Sequence, residues 1–549
     1  MEHLSEKRKL TIMIAIMAAM FFSAINQTII GVAMPRIIAK LGGMDYYTWA
    51  ITIYLLTSTV ATVLVGKLSD IYGRKPFILA GIALFMLGAF LSGFSADIFQ
   101  LIAFRGIQGM GAGIIMSTAF TAVGDLYAPR ERAKWMGVMS GVFGLSSVLG
   151  PPLGGYLVDH LDWRWVFWMF LPLGIIAFFM IIALFPKVER KEGESIDYWG
   201  SIFLTTTIVP LLLAFSWAGD GAGKYPWGSW QIIGLFSATL VSLIIFILVE
   251  MKVKSPVLPL SLFRNGIVTV SNLAGFVLNA GMMGAIIYVP FFVQGVKGIS
   301  PTYSGYVTMP MSVVMILCTA FIGQFISKTG KYKKMAIAGL LIMTFGMVLL
   351  HFMTPETAIY ITVIYMCIVG LGLGISMPVF SLTIQNAVEP KQLGVATASS
   401  QLFRSLGGTI GIAVMGTVMS SHMTSKMTEL GAASGASGGQ MQIDPKYAES
   451  IKEVMNPQTL LDQPKLEGIM SQLPPELQTM VDNLVHMVRE ALSYGVTSTF
   501  LTGAIVTAVA VVLTFFLKEI PLRSAKDVQV KQDGHAGEVR QQVVVNSKS

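Results

Sequence analysis

Apolar residues in this chain gather in long runs separated by short polar stretches, and the runs centre on residues 10–34, 49–68, 76–95, 99–123, 135–158, 164–186, 196–217, 229–250, 267–295, 303–326, 335–353, 358–380, 393–420 and 494–517. A helix needs about 20 apolar residues to cross a hydrocarbon core ~30 Å thick, so each run is the length of one crossing. The pattern predicts an all-α polytopic membrane protein with fourteen transmembrane helices. Two segments break the rhythm. Residues 421–492 form a long connection that opens on the flexible composition GAASGASGG (431–439), then places Leu477, Met480, Val481, Leu484, Val485 and Val488 at three-four spacing after Pro474-Pro475, an amphipathic helix. Residues 519–549 form a polar, disordered tail.

Composition agrees with the pattern. With 54% hydrophobic and 12% charged residues and a mean hydropathy of +0.68, the 549-residue chain has too little polar surface to coat a water-soluble globule. The net charge of +8 raises nucleic acid as a partner, but the placement of the basic residues excludes it. If Lys7, Arg8 and Lys9 lie in the cytoplasm, the loops on that side hold seventeen further Lys and Arg, against five in the short opposite loops (Arg36, Lys40, Arg164, Lys224, Lys297). The positive-inside rule then puts both termini in the cytoplasm. The first apolar run is too long for a signal peptide and is expected to stay as the first helix. Cys318 and Cys367 fall inside spans as packing residues, and the six histidines show no metal-ligand spacing, so no metal, cofactor or enzymatic centre is expected.

Three short segments carry more specific information. Between spans two and three, GKLSDIYGRK (66–75) reads as a ten-residue hinge, with Gly66 and Gly73 allowing tight backbone paths and Asp70, Arg74 and Lys75 supplying opposite charges. A weaker echo, GQFISKTGKYKK (323–334), follows span ten without the acid, at the same offset in a second group of six spans. Internal repeats of this kind mark alternating-access transporters. In span four, LIAFRGIQGMGAG (101–113) places Arg105 and Gln108 inside the membrane, where an arginine costs about 2.5–3.5 kcal/mol and therefore faces the bundle interior or an aqueous path. In span five, SSVLGPPLGGYLVD (146–159) combines a helix-kinking Pro151 with Gly150, Gly154 and Gly155, a face on which another helix can approach closely.

Together these segments resemble the major facilitator superfamily, and within it the fourteen-span drug:proton antiporters, over most of residues 10–420. Further likeness comes from WRWVF (163–167), YVPFFVQGVKGIS (288–300) and QLGVATASSQLFRSLGGTIGIA (392–413). The resemblance implies two six-helix bundles, at 10–186 and 256–518, with two extra helices at 187–255 and a cytoplasmic N-terminus at 1–9. It implies that Gly66, Asp70, Gly73 and Arg74 form a conformational latch, that Arg105 serves proton coupling, and that Gly150, Pro151, Gly154 and Gly155 are the antiporter signature of the fifth helix. The expected activity is proton-driven export of small hydrophobic or amphipathic compounds across the plasma membrane by a monomer, with small molecules, protons and lipid as partners and no cofactor.

One departure bears on mechanism. The family's first helix carries an acid before Gln-Thr-Ile, whereas AINQTIIGVAMP (24–35) has Asn26, and every Asp and Glu near the spans falls in a loop or at a span end. Asn cannot titrate, so coupling would fall to Asp70, Asp125, Asp159 or another span-end acid, or run through competition elsewhere, or be absent. Inward faces of spans one, four, nine and thirteen are expected to line one cavity with Asn26, Gln27, Thr28, Arg105, Gln108, Asn272, Asn279, Gln401 and Arg404. The rival readings are an uncoupled or differently coupled carrier of one metabolite and a non-transporting sensor that uses residues 421–492.

Overall fold

The computed structural model describes residues 5–127, 129–186, 197–219, 225–253, 256–388, 392–435, 451, 453–454 and 459–520. Fourteen long helices follow one another: α1 Glu6–Leu41, α2 Tyr47–Tyr72, α3 Arg74–Gly93, α4 Ile98–Leu126, α5 Pro129–His160, α6 Trp165–Leu184, α7 Tyr198–Trp217, α8 Trp230–Glu250, α9 Gly266–Phe291, α10 Pro301–Thr329, α11 Lys333–His351, α12 Ile359–Ala387, α13 Leu393–Gly435 and α14 Pro475–Phe515. All but α2 contain a described stretch long and apolar enough to cross a membrane, and α2, at 26 residues, stands where the second span is expected.

Helix pairing repeats. In the first six, α1 packs on α5 and α6, α2 on α4, and α3 on α4 and α6; in the last six, α9 packs on α13 and α14, α10 on α12, and α11 on α12 and α14. Glycines set the close approaches in both groups. A Cβ on Gly111 would lie 2.3 Å from the Phe85 backbone nitrogen, and one on Gly372 would lie 2.5 Å from that of Met343, so α4 and α12 touch α3 and α11 backbone to backbone. The two sixes meet chiefly through α5 against α10 and α2 against α13. The extra pair α7–α8 is peripheral. α7 touches both α2 and α13, and α8 buries only 17% of its apolar window.

Several connections differ from the sequence reading. The ten-residue hinge is not a loop: α2 stays helical through Gly66 and Asp70 to Tyr72, and α3 begins at Arg74. Only Gly73 breaks the path, at φ 91° and ψ 154°, a conformation essentially closed to residues with a Cβ. Its echo is likewise helical to Thr329, then turns at Gly330 (φ 69°, ψ −4°). The amphipathic stretch after Pro474-Pro475 is no separate helix but the first turns of α14, which runs unbroken for 41 residues. The first residues of GAASGASGG, through Gly435, are still α13. Arg36 and Lys40, read as loop residues, lie on the last turns of α1.

Candidate functional site

Asp97 caps α4 by accepting from the backbone N–H groups of Phe99 and Gln100, and α4 then runs past α2 at close range. Gly109 and Gly113 permit this: a Cβ at Gly109 would meet the Tyr54 carbonyl oxygen at 2.4 Å, and one at Gly113 would meet that of Ser58 at 2.1 Å. The approach lays the Arg105 guanidinium over the Tyr54 ring, 4.3 Å from its centroid, a cation–π contact in a dry site. Arg105 and Gln108 share a helix face by their i, i+3 spacing. From Arg105, Nη1 donates to Gln108 Oε1 (2.8 Å) and Nε to the Ala50 carbonyl (3.4 Å). Gln108 Nε2 donates to Asn26 Oδ1 (3.0 Å), and Asn26 Nδ2 donates to the Val166 carbonyl on α6 (3.3 Å).

The result is a one-way chain of donors from Arg105 through Gln108 and Asn26 to a backbone carbonyl, with Arg105 1% exposed and Asn26 and Gln108 fully buried. Among the described residues no carboxylate pairs with Arg105. The chain explains what an asparagine does at position 26: it accepts at one end and donates at the other, and an ionised aspartate could only accept. Ser23 and the Tyr54 hydroxyl, 3.4 Å apart, close the cluster on the α1 side.

The remaining expected residues separate from this cluster. Gln27 is half-buried. Thr28 belongs to the α1–α5 seam, where its hydroxyl donates to the Ser146 carbonyl at 2.9 Å and fills the space left open by Gly150. In the last six helices, Asn272 Nδ2 donates to Ser399 Oγ at 3.3 Å while its Oδ1 is buried without a partner, and Asn279 bonds its own helix at the Gly275 carbonyl (3.4 Å). Gln401 and Arg404 line a small cavity between α12 and α13 with Ser381, Gln385, Thr397 and Ser400. The single cavity expected between spans one, four, nine and thirteen is thus two places: a closed polar chain around Arg105 and a small open cavity at Arg404.

The fifth-helix glycines serve two partners. Gly150 and Gly154 admit α1, at Thr28 and Ile29, whereas Gly155 admits the start of α10, where a Cβ would meet the Pro301 carbonyl at 2.2 Å. Gly305 of α10 reciprocates, pressed on the Pro151 carbonyl at 2.4 Å. One turn on, exposed Asp159 accepts from the Thr302 N–H at 2.7 Å.

At the α2–α3 corner, Arg74 is buried and donates to Ser69 Oγ at 2.5 Å, and Lys75 donates to the Ile182 and Phe185 carbonyls, both at 2.7 Å. The side chains of Gly66's neighbour Lys67, of Asp70 and of Asp125 lie outside the described residues.

At the opposite end, contacts across the two sixes are dense and were not read from the sequence. The Tyr47 ring packs on Phe291 (4.9 Å, edge-on) and near Tyr288, and its hydroxyl donates to the Ile287 carbonyl. α9 ends in a π-helical turn, Phe292–Val296, that aims Gln294 across at the Val32 carbonyl (2.8 Å). Residues 459–471, between α13 and α14, cover this end. Asp462, which caps the helix Gln463–Ser471, pairs with Arg36 and with Lys40 (3.3 Å), and Leu461 and Leu492 pack beside Gly295. Burial alone would raise the Asp462 carboxyl, but the charges and hydrogen bonds of Arg36 and Lys40 outweigh it and hold the group below the usual aspartate value. The segment YVPFFVQGVKGIS carried the signal for Gln294; Asp462 stood in a stretch with no periodic cue.

Comparison with known proteins matches the geometry. The family model for the Major Facilitator Superfamily covers residues 16–412. The chain is 39% identical to the multidrug transporter protein MdtP of Bacillus subtilis (strain 168), over 96% of each chain. It is 31% identical to multidrug resistance protein 3 of the same organism, over 95% of this chain and 97% of that one. Among solved structures, a bacterial homologue of the human lysosomal transporter Spinster, in an inward-facing and unoccupied conformation, has the same fold, with a TM-score of 0.66 at 16% identity over 95% of this chain and 100% of that one. With the repeated six-helix pairing, the backbone-close glycine seams and a match over most of its length, the chain belongs to the Major Facilitator Superfamily.

Proposed function

We propose that this protein exports small apolar and amphipathic compounds through the plasma membrane by alternating access, as one chain, with protons moving inward. The observation that carries the reading is that two groups of six helices share one pairing pattern and close on each other at the end covered by residues 459–471, through Tyr47, Tyr288, Phe291 and Gln294. Two like bundles joined by breakable contacts at one end are the parts that rocking around a midplane site requires. In this reading the covered end faces outward, while the α2–α3 corner and both termini lie in the cytoplasm, and Gly73 and Arg74 act with Asp70 as the latch. The similarity to proteins named as multidrug transporters, over nearly the whole length, supports the substrate class.

Asn26 favours a second reading, weak or absent proton coupling, because the chain from Arg105 to Val166 contains no group that titrates near neutral pH. Purified protein in liposomes, loaded with a fluorescent amphipathic dye, separates the two. Export predicts flux, and coupling predicts that an imposed pH gradient accelerates it; equal flux with and without the gradient rules coupling out and leaves the carrier. Asn26→Asp sharpens the test. A protonated aspartate can accept from Gln108 and donate to Val166 as the amide does, and an ionised one cannot donate, so this variant is expected to gain gradient dependence.

A further inference from the structure

The polar cavity at Arg404 lies between α12 and α13. Its rim is Ser381 and Gln385 from α12 and Thr397, Ser400, Gln401 and Arg404 from α13, and the Arg404 stem lies along Gly275 of α9, where a Cβ would sit 3.6 Å from Cγ. Polar side chains inside membrane helices normally bond to something, as do Thr383 to Val379 and Thr409 to Ser405 on these same two helices. None of the six rim side chains makes a hydrogen bond or ion pair to another described residue. The six line one space, from buried Ser400 through half-buried Ser381, Thr397 and Arg404 to exposed Gln385 and Gln401 at its mouth, and one of them carries a permanent positive charge.

Charge elsewhere points the same way. Among the described residues, two arginines stand well inside the apolar runs, Arg105, which is buried, and Arg404, which is half-buried at the cavity, and the sequence has no acid central to any span. Arg105 is already committed to Gln108, Ala50 and the Tyr54 face. Arg404 is the cation left facing empty space. A guanidinium offers a planar fork of donors that fits a carboxylate, sulfonate or phosphate, and serine, threonine and glutamine beside it can complete the oxygen shell. Size limits the rest of the ligand. The cavity is about 40 Å³, against ~300–1,000 Å³ for a site that encloses a drug-sized molecule, so it takes a head group and leaves an apolar remainder outside.

We propose that this cavity is an anion site, which holds the acidic head of an amphiphile by Arg404 with Ser381, Gln385 and Gln401. The proposal rests on the export reading only for the ligand's route, since binding needs no flux.

The test uses the full chain in phosphatidylcholine nanodiscs and three probes matched in tail: decyl phosphate, decanamide and decylammonium. Wild-type protein should bind decyl phosphate at least about tenfold tighter than either of the others. Arg404→Gln should erase that preference, and Arg404→Lys, which keeps the charge but not the fork, should retain part of it. A size-exclusion profile and melting temperature like those of wild type show that the variants are folded. The proposal falls if wild type shows no preference for the anion, if the preference survives Arg404→Gln, or if Arg404→Gln weakens all three probes equally. Replacing part of the lipid with phosphatidylglycerol identifies the source of the head group: competition in wild type but not in Arg404→Gln assigns it to lipid, and no competition assigns it to a soluble amphiphile. Dye flux without anion preference overturns this site alone; anion preference without any flux overturns the export reading alone.

Discussion

Gly109, Gly111 and Gly113 on α4 hold it against α2 and α3, and Gly370, Gly372 and Gly374 on α12 hold it against the corresponding α10 and α11. Gly109 and Gly370 rest on the carbonyls of Tyr54 and Met311, and Gly111 and Gly372 on the backbones of Phe85 and Met343. In that register the chemistry inverts. Arg105, Gln108 and Tyr54 in the first half correspond to Met366, Val369 and Met311 in the second, all three of them buried apolar residues. On the next pair of helices the charge changes sides: Gly150 and Gly154 of α5 match Gly407 and Gly411 of α13, and Arg404, three residues before Gly407, has Ser147 as its counterpart. Backbone geometry is thus shared by the halves, and each half carries its own arginine at a position where the other has an uncharged residue.

Moving charge between the registers tests this division most severely. Met366→Arg places a guanidinium among Met311, Val369 and their apolar neighbours with no Gln108, Asn26 or Tyr54 to receive it, at a cost of about 2.5–3.5 kcal/mol or more. The expected outcome is collapse of folded yield, read by size-exclusion profile and thermal unfolding. Wild-type yield would mean that the second half has a hidden acceptor set and that the inversion is superficial. The reverse exchange, Arg105→Met, should do the opposite. The exchange removes a desolvated charge but leaves the buried Gln108 Oε1 without its donor, a cost of about 1–3 kcal/mol, so the melting temperature should fall by only a few degrees. Flux in liposomes should fall by about 100-fold, equal to about 2.7 kcal/mol of transition-state stabilisation. Retained flux would reduce the Arg105 chain to a packing device.

Much of this arrangement was legible in the residues. Fourteen apolar runs gave fourteen helices because spanning length is dictated by the bilayer, whatever packs beside it. Arg105 and Gln108 stood out because charge in such a run is costly. The partner of Arg105 was not legible, because Tyr54 is one aromatic among many in an apolar run, and its role is created by Gly109 and Gly113 on a different helix. The Gly370, Gly372, Gly374 repeat stands in GLGLG, but no arginine before it marks the match to GMGAG. The hinge reads as a loop for a physical reason: charged residues end the apolar run well before the helix ends, and only a glycine with φ near 91° stops it.

That corner supplies a smaller contrast. Gly73 holds a backbone conformation that side chains avoid, so Gly73→Ala should cost about 1–3 kcal/mol. Gly330 sits in the left-handed helical region, which asparagine tolerates, so Gly330→Asn should cost well under half as much. Thermal unfolding of the two variants side by side measures the difference. Equal losses would mean that the α2–α3 corner relaxes freely and that the single-residue connection imposes nothing.

The mildest effect concerns which half owns the covering segment. Residues 459–471 belong in sequence to the second half, yet Asp462 is tied to Arg36 and Lys40 of α1 in the first, while Leu461 packs beside Gly295 of the second. Because the folded carboxyl lies below its unfolded value, near 3.9, the ionic tie is fully present above about pH 4 and is lost only as pH falls through the lower folded value. Hydrogen exchange across 459–471 in the full chain should therefore be the same at pH 7 and pH 5, after correction for intrinsic rates, and rise below pH 4. Asp462→Asn should raise it modestly already at pH 7 and flatten the acid response. If exchange instead rises between pH 7 and pH 5, the segment is held by groups other than this carboxylate. If Asp462→Asn changes nothing at pH 7, the apolar contacts at Gly295 alone fix the segment, and it moves with the second half when the two halves part.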